Sequence, residues 1–486
     1  MQITSPLSDL DADFAGALIL PGDPRYDASR SVFNAMIDRR PALIARCATS
    51  TDVAVAVRFA RATGLAIAVR GGGHSVVGYG VCDGGVVVDL GGLKSIQVDP
   101  VGKTARAGGG VLWGEFDAAT QEHGLHAPGG RVTSTGIGGF TTGGGYGWTS
   151  SKYGLACDNL LSAEVVLADG TIVRASEDHH PDLFWGIRGG GGNFGIVTEF
   201  EFQLHKLGPT VLAGLALWPL ERAPEVMRAW RDYADAAPDE ISTACVVVTA
   251  PPEDFVPDHL RGRPALGIAV LYVGQPEDGD EAVRPLKDLR ADLDHIAPMP
   301  YTAFQAALDP TAPPGWRSYW RGEYLHRLGD EAIDTFLHNG TILVESAPPL
   351  SQAVIFRIGQ HINAIRRDAT AFSQRGANYL FHPITVWKQP DDDERMLATG
   401  RAFAQAMRPY ATGMPYLNFT PEGDRVQDAY TGDTYTRLVA LKDKYDPDNR
   451  FQLNQNIAPS NRLENDRLAA RPTPSTKRAS QRVRTP

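Results

Sequence analysis

Residues 65–80, LAIAVRGGGHSVVGYG, constrain this chain more than any other stretch. Leu65 to Val69 is uniformly apolar and reads as a buried strand; it ends in Arg70, three glycines, His74 and Ser75. Consecutive glycines clear a tight turn of side chains and leave backbone N–H groups free to face an anion. A diphosphate suits such a loop, and His74 sits where it can face the rest of the same ligand. A glycine-rich turn with a structural histidine is the competing reading of this segment alone.

The first 210 residues repeat the style. Asp89-Leu90-Gly91-Gly92 ends the apolar run Val86–Val88, and Ala107-Gly108-Gly109-Gly110 follows the alternating Thr104–Arg106. Gly136-Ile137-Gly138-Gly139, Gly143-Gly144-Gly145-Tyr146-Gly147, Gly189 to Gly192 and Gly195 come next. Glycine loses more conformational entropy on folding than any other residue, so clusters like these mark close backbone approach. Together they predict one long ligand groove built from loops. Gly190, Gly192 and Gly195 spell GxGxxG, but that motif has to follow a strand and open a helix. Here a short helical segment, Asp182–Ile187, precedes it and the alternating Ile196–Leu204 follows it as a strand. No Walker A sequence occurs, so the groove belongs to neither of those folds.

Four ordered motifs resemble the FAD-linked oxidases of the berberine bridge enzyme type, in the vanillyl-alcohol oxidase superfamily; bacterial hydroxynicotine oxidases are similar. The motifs are Arg70–Ser75; Gly143–Gly147 with Lys152-Tyr153-Gly154-Leu155-Ala156-Cys157-Asp158-Asn159; Asp182–Val197; and Tyr445–Ile457. They span the chain in the family's order. The resemblance implies an α+β fold: an FAD-binding domain of two mixed α/β subdomains, plus a substrate domain whose antiparallel sheet is covered by helices. It implies FAD bound covalently through His74 to the 8α-methyl of the ring. Arg70, Gly71, Gly72, Gly73, Ser75, Gly78 and Tyr79 would hold the cofactor from the first loop. Gly130, Thr133, Ser134, Gly136, Gly138, Gly139, Gly143, Gly144 and Tyr146 would do so from the second. Gly195, Ile196, Val197, Asn454 and Asn456 would complete the set. Relatives that link FAD twice use a cysteine in the loop Pro128–Gly136; Val132 stands at that place, so a single link is expected. Cys157 reads as a buried small residue.

Pro415-Tyr416-Leu417-Asn418-Phe419 resembles the family's Tyr-x-Asn-Tyr strand over the flavin, with Phe419 in place of the second tyrosine. Tyr416 is the candidate base if the first tyrosine carries that role. Asn418 and His382 are further candidates, and a core strand residue is the plain alternative for Tyr416. The glutamate that some relatives carry before Trp387 is missing from His382–Trp387. Trp316, Tyr319, Trp320 and Tyr324 form an aromatic cluster suited to a pocket wall or to the core.

Length and composition agree with these expectations. A chain of 486 residues with 43% hydrophobic and 21% charged residues suits two or three globular domains. A net charge of −10 argues against nucleic acid as partner. Four widely spaced cysteines fit no metal or disulfide framework, and the start MQITSPLSDLDADF lacks a basic and apolar leader, so a cytoplasmic protein is expected. No apolar run has membrane-spanning length. Asp169-Gly170 predicts a hairpin and Leu207-Gly208-Pro209 a boundary. The expected divisions are 1–209 with a helical lead-in over 1–40, a substrate domain over 210–445, a return segment over 446–459, and a disordered basic tail over 460–486. No metal is expected, and the oligomeric state stays open. The function expected is oxidation of a small organic substrate (an alcohol, sugar, amine or secondary metabolite), with hydride passing to FAD and O2 reoxidising it to give H2O2. A dehydrogenase with another acceptor and a non-catalytic flavin-binding member remain alternatives.

Overall fold

The structure, a computed structural model, describes residue 10 and residues 14–347, 349–420 and 426–463. Its first sheet orders four strands as Ala17–Ile19, Leu43–Arg46, Val86–Asp89 and Ile67–Arg70. The last three are parallel, and helix Ser50–Thr63 makes the crossover between two of them. Thr49 caps that helix in a capping box with Asp52, and Gly64 ends it at φ 69°. Val53, Ala56, Val57 and Ala60 recur at helical spacing and pack on the sheet. The run predicted as a strand over 65–69 forms the parallel edge strand Ile67–Arg70, whose C-terminal end opens into the triple-glycine loop.

A second, antiparallel sheet orders Ile96–Asp99, Thr104–Gly108, Ile196–Gln203, Leu160–Val166 and Ile172–Ser176. The Asp169-Gly170 hairpin forms as expected, with Gly170 at φ 84°. The helix Pro181–Ile187 precedes the GxGxxG and the strand Ile196–Gln203 follows it, the reverse of a dinucleotide-binding turn.

From Thr210 the chain builds a nine-stranded sheet, and every pairing in it is antiparallel. Its faces separate by the two-residue period of a strand. Cys245, Val247, Ala353, Ile355, Tyr379 and Phe381 point to one face, where they meet helices Ala223–Ala236 and Asp330–Ser346 in a single apolar core. Val226, Met227 and Trp230 are fully buried there, at about 1.5–3 kcal/mol each. Val246, Val354, Phe356 and Leu380 point the other way, toward Tyr146, Trp148 and Tyr416. His382 and Ile384 continue that second face. This architecture is the α+β arrangement expected, with the sheet laid over the glycine loops.

Three boundaries differ from expectation. The lead-in is helical only in part where it is described: Leu10 is helical, but residues 14–40 hold the strand Ala17–Ile19 and one helix, Tyr26–Arg30, because a free edge of the first sheet recruits the segment. Leu417–Phe419 is a 3₁₀ turn, not a strand. The return to the first domain comes earlier than 446, since Ala429, Tyr430, Leu438, Leu441 and Tyr445 share a core with Trp113, Phe184 and Phe200. Most of the tail expected to be disordered lies outside the described residues. No helix among the described residues is long and apolar enough to cross a membrane.

Candidate active site

The glycine loops meet backbone to backbone. A Cβ on Gly72 would lie 2.3 Å from the Gly136 nitrogen, and one on Gly136 would lie 2.3 Å from the Gly72 nitrogen. No other residue fits either position, so the first and second loops close on each other only because both are glycine there. The groove they floor is lined by Arg70 to Ser75, Tyr79, Gly130, Gly136, Gly138, Gly139, Gly143 and Tyr146, and by Gly195 to Val197 and Asn454. The remaining expected cofactor residues stand behind that wall. Gly78 turns the loop at φ 73°. Gly144 packs against Phe372, and Asn456 carries a buried, unpartnered Oδ1. Thr133 gives its N–H and hydroxyl to Asp309, tying the second loop to the segment that precedes the strand Arg317–Trp320. Arg70 pairs with Asp89 at 2.8 Å, so it braces the loop and leaves backbone N–H groups to meet phosphate oxygens.

His74 stacks on Phe33 with ring centroids 4.0 Å apart, and its Nε2 lies 2.8 Å from Ser134 Oγ. Burial lowers its pKa to about 4, so the imidazole is neutral and keeps a nucleophilic lone pair at physiological pH. With Nε2 engaged by Ser134, Nδ1 is the nitrogen left free. Val132 lines the groove, while Cys47, Cys82, Cys157 and Cys245 are buried free thiols away from its walls.

Across the groove, the nine-stranded sheet presents Gln352, Phe356, His382 and Ile384, joined by Trp320, Asn418 and Phe419. His382 stacks on Phe419 at 4.0 Å and donates Nδ1–H to the Arg321 carbonyl at 2.8 Å. That bond leaves Nε2 an acceptor, and burial lowers the ring's pKa to about 3. Asn418 donates Nδ2–H to the Phe140 carbonyl at 3.0 Å and to Tyr416 Oη at 3.1 Å. Its Oδ1 fills the space a Cβ on Gly143 would need. Tyr416 Oη also accepts the Tyr146 N–H at 3.0 Å. Burial raises the Tyr416 pKa to about 12, against the pull of the N–H donors and the nearby Arg131 charge. The donor set is that of an oxyanion site, and Tyr416 lies just behind the wall that Asn418 forms.

Of the aromatic cluster, Trp320 alone reaches the groove. Tyr319 packs on Trp387 and Met396, and Tyr324 backs Tyr416. Sequence reasoning missed Arg131, Gln352 and Phe356 as wall residues. Alternation along Gln352–Arg357 could have put Gln352 and Phe356 on one face, but not said which face met the groove.

Glycine-bounded space for a dinucleotide, the unpartnered Asn454 Oδ1 in its wall with that of Asn456 behind it, and a neutral histidine beside it fit FAD. Two families match the chain: one described as FAD binding domain over residues 41–176, and one described as berberine and berberine like over residues 415–458. (R)-6-hydroxynicotine oxidase of Paenarthrobacter nicotinovorans is 32% identical over 471 residues, covering 94% of this chain and 99% of the relative. The uncharacterized FAD-linked oxidoreductase YvdP of Bacillus subtilis (strain 168) is 29% identical over 456 residues, 92% and 98% of the two chains. Among solved structures, 6-hydroxy-D-nicotine oxidase from Arthrobacter nicotinovorans superposes with a TM-score of 0.83 at 29% identity, covering 94% of this chain and 100% of that one. The BBE-like 1 protein of Physcomitrella patens shares the fold, with a TM-score of 0.82 at 24% identity over 93% and 99%. The chain therefore belongs to the berberine bridge enzyme-like family of FAD-linked oxidoreductases.

Proposed function

We propose that this FAD-dependent oxidoreductase is an oxidase, with FAD tethered by a single bond to His74. When bound, FAD would supply an acceptor for hydride from a substrate carbon, with O2 as the terminal acceptor giving H2O2. The protein's part is to place the substrate and manage its proton. The observation that carries the reading is the facing of two walls across one groove. Glycine loops and His74 form one wall; His382, Asn418 and Phe419 form the other.

In its phenolate form, its own proton having been lost to solvent, Tyr416 takes the substrate's heteroatom proton. Its oxygen receives the N–H groups of Tyr146 and Asn418, which stabilise the phenolate once it forms. His382, neutral and with Nε2 free, accepts a hydrogen bond and orients the donor. Apolar Phe356, Ile384, Leu417 and Phe419 exclude water from the space between.

The test is anaerobic titration of the purified protein with a panel of alcohols, sugars, amines and organic acids, followed by admission of air. Bleaching near 450 nm by one substrate class, with recovery on oxygen and stoichiometric peroxide, is the expected outcome. Bleaching that oxygen fails to reverse, while an artificial dye does, would make the protein a dehydrogenase. Absence of bleaching by every donor would make it a non-catalytic binder.

A further inference from the structure

Two arginines line the groove. Arg70 has its carboxylate in Asp89; Arg131 has none within ion-pair distance among the described residues. Arg131 is nevertheless buried, at 8% exposed. Its guanidinium carbon lies 4.0 Å from the Phe356 ring centroid, 4.4 Å from that of Tyr146 and 4.8 Å from that of Trp148. Two N–H groups go to the carbonyls of Tyr146 at 3.2 Å and Gly147 at 3.3 Å. The Nε–H is buried without a partner.

Aromatic faces and two carbonyl oxygens offset only part of the cost of burying a cation. The ionisable neighbours that bear on Arg131 are the phenols of Tyr146 and Tyr416 and the His382 imidazole, and burial favours the neutral form of all three. No aspartate or glutamate lines the groove among the described residues. Among the described residues the counter-charge is therefore missing, next to the wall that carries Phe356 and His382. An anion arriving from solvent is the group that completes the set. Around it, Phe356, Phe419, Trp320 and Leu417 offer a flat apolar enclosure suited to an aromatic or similarly planar body.

We propose that Arg131 is an anion subsite of the substrate pocket, and that the substrate is a small organic acid whose carboxylate docks on this guanidinium. The proposal rests on the groove being a flavin-dependent oxidase site. It also excludes a substrate that presents an ammonium group to this wall, since two cations would share a desolvated space with no acid between them.

Binding of three isosteres to the flavin-loaded full chain tests this directly. Benzoate, benzamide and benzylamine are titrated at pH 7.5 and followed by the flavin difference spectrum and by calorimetry. Benzoate should bind at least about tenfold more tightly than benzamide, the order of a charge-assisted hydrogen bond, with benzylamine weakest. Arg131→Leu should bring benzoate down to the level of benzamide, and Arg131→Lys should keep part of the preference. Benzoate binding no tighter than benzamide in the unmodified protein overturns the subsite whatever the variants do. So does an Arg131→Leu protein, with flavin retained, that still prefers the acid. A purified protein without flavin would instead contradict the oxidase reading, and flavin content is read before any titration.

Discussion

At the scale of single residues, the site is a contest between burial and hydrogen bonding. Tyr416 shows it most clearly. Desolvation favours its neutral form and raises its pKa to about 12, while the N–H donors and the Arg131 charge favour the phenolate. Burial wins in the resting protein, so the base is a minor species at neutral pH. Its population rises tenfold per pH unit below that pKa. The rate of flavin reduction at saturating substrate should therefore climb with pH between 7 and 10. Tyr416→Phe should slow reduction by roughly 10²–10⁴-fold, with flavin content unchanged and the climb abolished. Stopped-flow reduction across that range checks both. A Tyr416→Phe protein with unaltered rate and slope would remove Tyr416 from the role of base.

At the scale of elements, what holds the groove open is a set of struts from the far end of the sequence. Helix Gly432–Tyr445 buries Lys442 completely; its Nζ donates to Asp446, to the Asn193 carbonyl and to the Phe451 carbonyl. Asp446 in turn accepts the N–H groups of Arg450 and Phe451. This knot joins the third glycine loop to the segment carrying Asn454. Lys442→Met keeps the volume but leaves the Asp446 carboxylate buried without its cation, which costs about 3–5 kcal/mol. Its melting temperature should fall by several degrees and its flavin content with it; an unchanged melting curve would show that the knot is not a strut. The sequence carried the ends of this link as the Tyr445–Ile457 motif. It gave no sign that Lys442 lies inside, because a lysine at that spacing on an amphipathic helix is ordinarily solvated.

At the scale of the whole molecule, the glycine-rich half was largely legible. Runs such as Leu65–Val69 and Ile196–Leu204 carry strong strand patterns, and clustered glycines have few uses besides close backbone approach. The substrate half was legible in its elements and not in its site. Alternation sorts each strand into two faces, yet which face meets the flavin depends on pairings between strands far apart in sequence, such as Val354 with His382. Arg131 was in view in the second loop, but its lack of an acid partner among the described residues is a property of the assembled walls and of nothing local. Tyr416 was placed on a strand because its motif resembled one, whereas the Gly322–Tyr416 backbone bond and the turn after it hold it instead.

The central claim is that both walls close on one FAD, held through one histidine. His74 is neutral at working pH, Val132 lines the groove where the family resemblance puts a second thiol, and none of the four cysteines lines it. The direct measurement is acid precipitation of the purified protein followed by peptide mapping by mass spectrometry. The yellow colour should stay with the pellet, the flavin mass should map to the peptide containing His74 and to no other, and His74→Ala should fold yet release all its flavin into the acid supernatant. Flavin released from the unmodified protein, or a flavin adduct on Cys157 or any other residue, would contradict the account.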